Sequence, residues 1–212
     1  MRTPTHSRPE AARGFTLIEL LGVILIMSIL IGLAAVALKD SSPASKREQG
    51  ARQLAAALQQ ARVEAITISG RTAVVFAGPG AGGVEGAGVT YGIFRLQEGV
   101  EDPVAGEMIG RWRTLPGGTV FSQRDDLGAP NLLTEMQDQL EVTMPEGAVV
   151  TLPCVILSPE GRVISPQGQA NWALAIATGG VQGGVVQEAA GDVATLERVL
   201  LRRSTGRARR LP

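Results

Sequence analysis

Residues 13–32 read RGFTLIELLGVILIMSILIG, and one side chain in that stretch is out of place. Glu19 is the only ionisable residue between Phe15 and Leu38. A charged side chain placed in hydrocarbon costs roughly 2.5–3.5 kcal/mol or more near the centre of a bilayer. The run itself holds 24 residues, 15–38. At about 1.5 Å per residue it makes a helix of roughly 36 Å, enough to cross a hydrocarbon core of about 30 Å. A cleaved secretory signal carries a shorter apolar segment, about 7–15 residues, before a small-residue site. Here the run is longer and Lys39-Asp40 closes it with charge. The expectation is a transmembrane helix over 15–38 whose carboxylate something must offset. Arg2, Arg8 and Arg13 precede the run while Lys39, Lys46 and Arg47 follow it, so the count of flanking positive charges leaves orientation open.

Past the anchor, Ser41-Ser42-Pro43 predicts a break or kink, because proline lacks a backbone donor and disfavours helix at the residue before it. Leu54, Leu58, Ala61, Ala65 and Ile68 then recur at helical spacing and mark one face of an amphipathic helix. Gly70 is its expected stop. Beyond it the pattern changes to short β-rich runs bounded by Gly or Pro: 71–78, 89–97, 108–115, 151–158, 172–178 and 197–204. Between them lie a glycine-rich loop (78–88), an acidic loop (98–107), a candidate short helix (131–140) and a turn region (159–169).

Composition excludes several chemistries. Cys154 is the only cysteine and reads as a small buried hydrophobe, with no partner for a disulfide or a thiolate metal pair. His6 is the only histidine and lies near the start, so no Ser/His/Asp triad, Cys/His pair or histidine metal site fits in the body. The 78–88 loop lacks the Gly-Lys-Ser/Thr ending of a phosphate-binding Walker loop. Asp125-Asp126 and Glu101-Asp102 are the candidate acids for catalysis, and they read as exposed turn residues. No enzyme activity, cofactor or metal is expected. Aromatics make up only 3% of the chain, which argues against a base-stacking platform.

Charge is unevenly placed, although 20 basic and 20 acidic residues balance overall. Residues 197–212 carry Arg198, Arg202, Arg203, Arg207, Arg209 and Arg210 against Glu197 alone. These arginines read as a solvated basic end or as partners of the acidic body. A second reading has Arg202, Arg203, Arg207, Arg209 and Arg210 contacting nucleic-acid phosphates.

The head of the chain resembles the processing signal of type IV pilins and pseudopilins. In that family a short basic leader ends in Gly, a membrane peptidase cuts after it and methylates the new N-terminal residue, and a Glu stands fifth in the mature chain. GFTLIELL fits, with the cut between Gly14 and Phe15 and with Glu19 fifth from it. The resemblance implies that Glu19 of one subunit pairs with the Phe15 amine of its neighbour in a filament. That would neutralise the buried acid and set the axial register. It also implies a cytoplasmic leader, a single pass through the bacterial inner membrane and a periplasmic C-terminal domain.

The C-terminal part is similar to GspH/FimT-type minor pseudopilins. The likeness rests on Val155–Ser158, the turn Pro159-Glu160-Gly161, a Trp172-led strand, the glycine-rich turn of Gly179, Gly180, Gly183 and Gly184, and Val199 through Thr205-Gly206-Arg207.

The fold class these features imply is α+β. A long N-terminal helix, transmembrane then amphipathic, packs on a C-terminal antiparallel β-sheet domain of pilin type. The expected parts are a leader over 1–14, an assembly helix over 15–38, its amphipathic continuation over 39–69 and a β-rich periplasmic domain over 70–212. The function implied is a minor pseudopilin of a type II secretion filament. Its partners would be other pilin-like subunits, the prepilin peptidase and an inner-membrane assembly platform. Small residues Gly22, Ser28, Gly32, Ala34 and Ala35 would let helices approach closely. The alternative is a minor type IV pilus subunit that binds DNA through the arginine-rich end.

Overall fold

The structure is a computed structural model. It describes residues 17–39, 42–78, 86–97, 99, 103–136, 138–183, 185–192 and 195–211, with backbone alone over 32–39. The chain divides into two compact units, Met1–Ser41 and Ser42–Pro212.

The first unit contains α1, Leu17–Lys39, rich in Leu and Ala and free of proline. Among the described residues no helix is long and apolar enough to cross a membrane. Phe15 and Thr16 lie outside those residues, and the described side chains of α1 end at Ile31. From Leu17 to Ile31 a helix rises only about 22 Å, short of a hydrocarbon core of about 30 Å.

The second unit begins with α2, Pro43–Ile68. Ser42 has extended backbone and caps the helix, its Oγ accepting from the Ser45 N–H at 3.2 Å. Pro43 follows at the first helical position, where its missing donor costs nothing. The expected break is therefore a fresh helix start. At the other end Ser69 adopts the left-handed region with φ 50°, and Gly70 donates to the Ala65 carbonyl at 3.1 Å. Together with the Ser69 N–H to the Ile66 carbonyl this closes a Schellman motif, with serine rather than Gly70 in the strained place.

Helix α2 buries Gly50, Ala51, Leu54, Ala57, Leu58, Ala61 and Ala65, while Ile68 is only half-buried. That stripe lies against two antiparallel sheets. The first has strands in the order β3 (Ala105–Met108), β2 (Thr90–Leu96), β1 (Thr72–Ala77), β7 (Val149–Leu157), β6 (Gln139–Thr143). Short β4 (Arg113–Thr114) adds to β2 and β8 (Val163–Ser165) to β7. The second sheet runs β10 (Val185–Glu188), β9 (Asn171–Gln182), β11 (Glu197–Arg202), β12 (Ala208–Leu211), with β5 (Thr119–Phe121) on β9.

One core joins α2 to Val74, Phe76, Tyr91, Ile93, Val155 and Leu157 of the first sheet. From the second sheet it takes Trp172, Leu174, Ile176, Val199, Leu201 and Ala208. On the far face of the first sheet a second core forms as Leu140, Val142 and Leu152 cover Ala73, Val75, Phe94, Cys154 and Ile156. Strand β1 is thus buried on both faces, which is why TAVVFA is continuously apolar or small. The sheets meet where the Phe121 N–H donates to the Gly88 carbonyl at 2.8 Å and the Val163 N–H to the Arg203 carbonyl at 3.0 Å. At Gly88 a Cβ would stand 2.1 Å from a Val186 methyl, so only glycine allows that approach.

The α+β class is as expected, and four of the six expected strands hold to within a few residues. The stretch 108–115 is not one strand. Positive φ at Gly110 turns the chain, so β3 and β4 are separate and both pair with β2. The expected helix over 131–140 shrinks to α3, Leu132–Glu135, capped by the Asn131 side chain at 3.0 Å, and the chain then enters β6. The strand at 172 extends to Gln182. In the loops 78–88 and 98–107, residues 79–85, 98 and 100–102 lie outside the described residues, as does Gly184.

Candidate functional site

From Leu17 to Ile31, helix α1 presents apolar side chains on every face. Leu17 is 83% exposed, Ile18 77% and Ile31 67%. Twelve large apolar side chains between Leu17 and Ile31 are exposed in this way. Covering them would gain about 10–20 kcal/mol, taking half the usual 1.5–3 kcal/mol for full burial of each. A surface of that kind demands a lipid or protein cover. Glu19 stands in the first turn of α1, where the exposed N–H groups of a helix favour negative charge. Gly22 has open space around it, since an added Cβ would meet nothing within 4 Å. The Ser28 hydroxyl is turned onto the Ile24 carbonyl at 2.8 Å. Gly14 and Phe15, the expected processing residues, lie outside the described residues, as do His6 and the rest of 1–14.

The basic end is a strand, which its sequence concealed. In the β11–β12 pair Leu201 faces Ala208 and Leu200 faces Arg209. Alternation sends Ala208 into the core and brings Arg210, two residues on, to the same side. There Arg210 ion-pairs with Glu48 of α2 and stands 3.8 Å from Glu197. Glu48 also receives Arg52 at 2.6 Å. The Arg210 guanidinium, then that of Arg52, holds the Glu48 carboxyl below its ordinary range. Farther along α2, Gln59 donates to the Ala208 carbonyl at 3.3 Å and Arg62 to the Thr205 carbonyl at 2.6 Å. The strand is thereby fastened to α2. Of the five arginines considered for nucleic acid, Arg202, Arg207 and Arg209 are exposed and form no ion pair among the described residues, Arg203 is half-buried, and Arg210 is committed to Glu48. The acidic partner Glu48, fully 162 residues away in sequence, carried no signal that could have revealed this pairing.

The candidate catalytic acids are dispersed. Asp126 is bound by Arg124 at 2.8 Å, which holds its carboxyl below the ordinary range, and Asp125 accepts from the Thr134 hydroxyl at 3.2 Å. Glu101 and Asp102 lie outside the described residues. Among the described residues no group of three or more His, Cys, Asp or Glu is placed to hold a metal ion. Cys154 is fully buried in the second core, and burial pushes its thiol up to about 12.

Residues 11–35 match the family described as the prokaryotic N-terminal methylation motif. That segment contains Gly14, Phe15 and Glu19 and covers the head of the chain alone. Two crystal forms of the type IV minor pilin FimU of Pseudomonas aeruginosa (strain PAO1) are similar in structure. One is 14% identical, covering 78% of this chain and 87% of that one, with a TM-score of 0.44. The other is 13% identical, covering 78% and 92%, with a TM-score of 0.43. No curated protein matches.

Proposed function

We propose that this chain is a non-enzymatic, pilin-like subunit. It is cut between Gly14 and Phe15, methylated on Phe15, and assembled through α1 into a filament. The observation that carries the reading is the stretch Leu17–Ile31 of α1, whose twelve large apolar side chains are exposed, with one carboxylate in its first turn. Before assembly the bacterial inner membrane covers that surface as a single-pass anchor, with the leader in the cytoplasm and Ser42–Pro212 in the periplasm. In the filament other pilin-like helices cover it. A new amine at Phe15 would lie about one helical turn from Glu19. The Phe15 amine of a neighbouring copy offsets the cost of Glu19 and fixes the stagger between subunits. Small residues from Gly22 onward admit close approach. The prepilin peptidase and an inner-membrane assembly platform are the partners this route needs.

The filament we favour is the periplasmic one of a type II secretion system, with this chain as a minor, GspH/FimT-type subunit. A second reading, a type IV pilus subunit that takes up DNA, draws on the exposure of Arg202, Arg207 and Arg209. Its measure is the salt slope of DNA binding by Ser42–Pro212, which falls when those three are replaced.

The test of the main reading is Glu19→Val. The variant should insert in the membrane as well as the wild type and fail to co-purify with sheared filaments. Wild-type incorporation would remove the pairing mechanism.

A further inference from the structure

A cleft of about 640 Å³ opens between α2 and the β3–β4 connection, lined by Gln53, Ala56, Tyr91, Arg111, Trp112 and Arg113 among others. Two features set it apart. The charged residues lining it are both arginines. Its buried wall is Tyr91, which is 0% exposed. The Tyr91 ring packs between Phe76 and Phe121, with centroids 6.5 and 6.2 Å away. Its buried Oη meets no acceptor for its proton among the described residues. The charged neighbour of that oxygen is Arg113, which can donate to it but has no lone pair to take the O–H proton. Arg113 is itself held in place by donating to the Gln60 side chain. Buried hydroxyls without an acceptor are rare in folded proteins, and each asks for one.

We propose that this cleft binds a carboxylate that displaces Arg113 from the covered phenol, one oxygen accepting the Tyr91 O–H and the other receiving a guanidinium N–H from Arg113 or Arg111. A planar, two-oxygen anion suits a phenol donor set beside a guanidinium fork. Arg111 is exposed at the rim and supplies the long-range attraction. The carboxylate has two sources, a free small acid or an acidic side chain of a second copy. The assignment stands apart from the assembly reading, because it uses only residues of the second unit.

The chain has two tryptophans, Trp112 in the cleft and Trp172 buried in the core, which makes fluorine NMR decisive. The full chain, labelled with fluorotryptophan and held in detergent micelles, is titrated with acetate at constant ionic strength. The Trp112 resonance should move and saturate with a midpoint of about 1–10 mM, while Trp172 stays still. Tyr91→Phe should raise the midpoint about tenfold, and Arg111→Gln about fivefold. Should Tyr91→Phe displace the Trp172 signal, showing a disturbed core, the exposed Arg111→Gln decides alone. A Trp112 shift that rises without saturating, a midpoint that neither variant changes, or phosphate binding more tightly than acetate would overturn the proposal. Raising the protein concentration without acetate separates the sources. Movement of Trp112 that acetate reverses points to a second copy's acid, and a still resonance, with acetate binding intact, points to a free one.

Discussion

Leu58→Ala tests how α2 is held. Leu58 is 0% exposed and sits in the single core that takes side chains from both sheets. Truncation there leaves a cavity enclosed on the sheet side, where close-packed strands cannot follow the missing atoms. The usual range for a buried leucine is about 2–5 kcal/mol, and an enclosed site belongs near the middle, about 3 kcal/mol. Val63, on the same helix but 56% exposed, is the control, and its replacement by alanine should cost less than about 0.5 kcal/mol. A unit of this size loses about 2–4 °C of Tm per kcal/mol, so Leu58→Ala should melt about 6–12 °C early. The assay is urea and thermal unfolding of Ser42–Pro212, followed by circular dichroism, with the denaturant slope unchanged between variants. Costs for Leu58→Ala and Val63→Ala within about 0.5 kcal/mol of each other would refute the docking of α2 by this face.

Ser69→Gly should stabilise the same unit by about 0.5–1 kcal/mol, since an L-residue at φ 50° is strained by about 1–2 kcal/mol and glycine recovers most of that despite its greater unfolded freedom; a loss in urea titration would contradict the cap. Cys154 should resist a disulfide reagent in the native protein and react promptly in denaturant. Because burial raises that thiol from 9.0 to about 12, its contribution to stability is complete below pH 9 and is lost as pH rises toward 12, which unfolding curves across that window would register. Replacing Gly14 by a bulky residue should leave an uncut precursor retaining residues 1–14, visible on a gel as a slower band; normal processing would argue against the cut site.

Much of the fold was legible because its signals are local. The stripe from Leu54 to Ala65 follows from helical period alone, and β1 and β2 are β-rich runs bounded by glycine that need no partner to be recognised. What was missed depends on partners. Strand β12, ARRL, looks like a solvated basic tail until Ala208 meets the core and Arg210 meets Glu48. Strand β6, QLEVT, alternates cleanly, but its first two residues, Gln139 and Leu140, fall in the run NLLTEMQDQL that reads as a short helix. In MIGRWRTL, residues 108–115, a lone Gly110 among β-forming residues does not announce that it will divide the run. For the candidate site the balance is similar. Glu19 stood out as one charge in an apolar run, whereas Tyr91 and the Arg111–Arg113 cleft come together only when β2, β4 and α2 are folded.

The account rests on α1 being headed by a freshly cut, methylated amine. Intact-mass and N-terminal peptide mass spectrometry of the protein extracted from its native membrane tests that most directly. The predicted result is a chain that starts at Phe15 with a mass increment of one methyl group. A chain that still begins at Met1, with Phe15 internal, would contradict it.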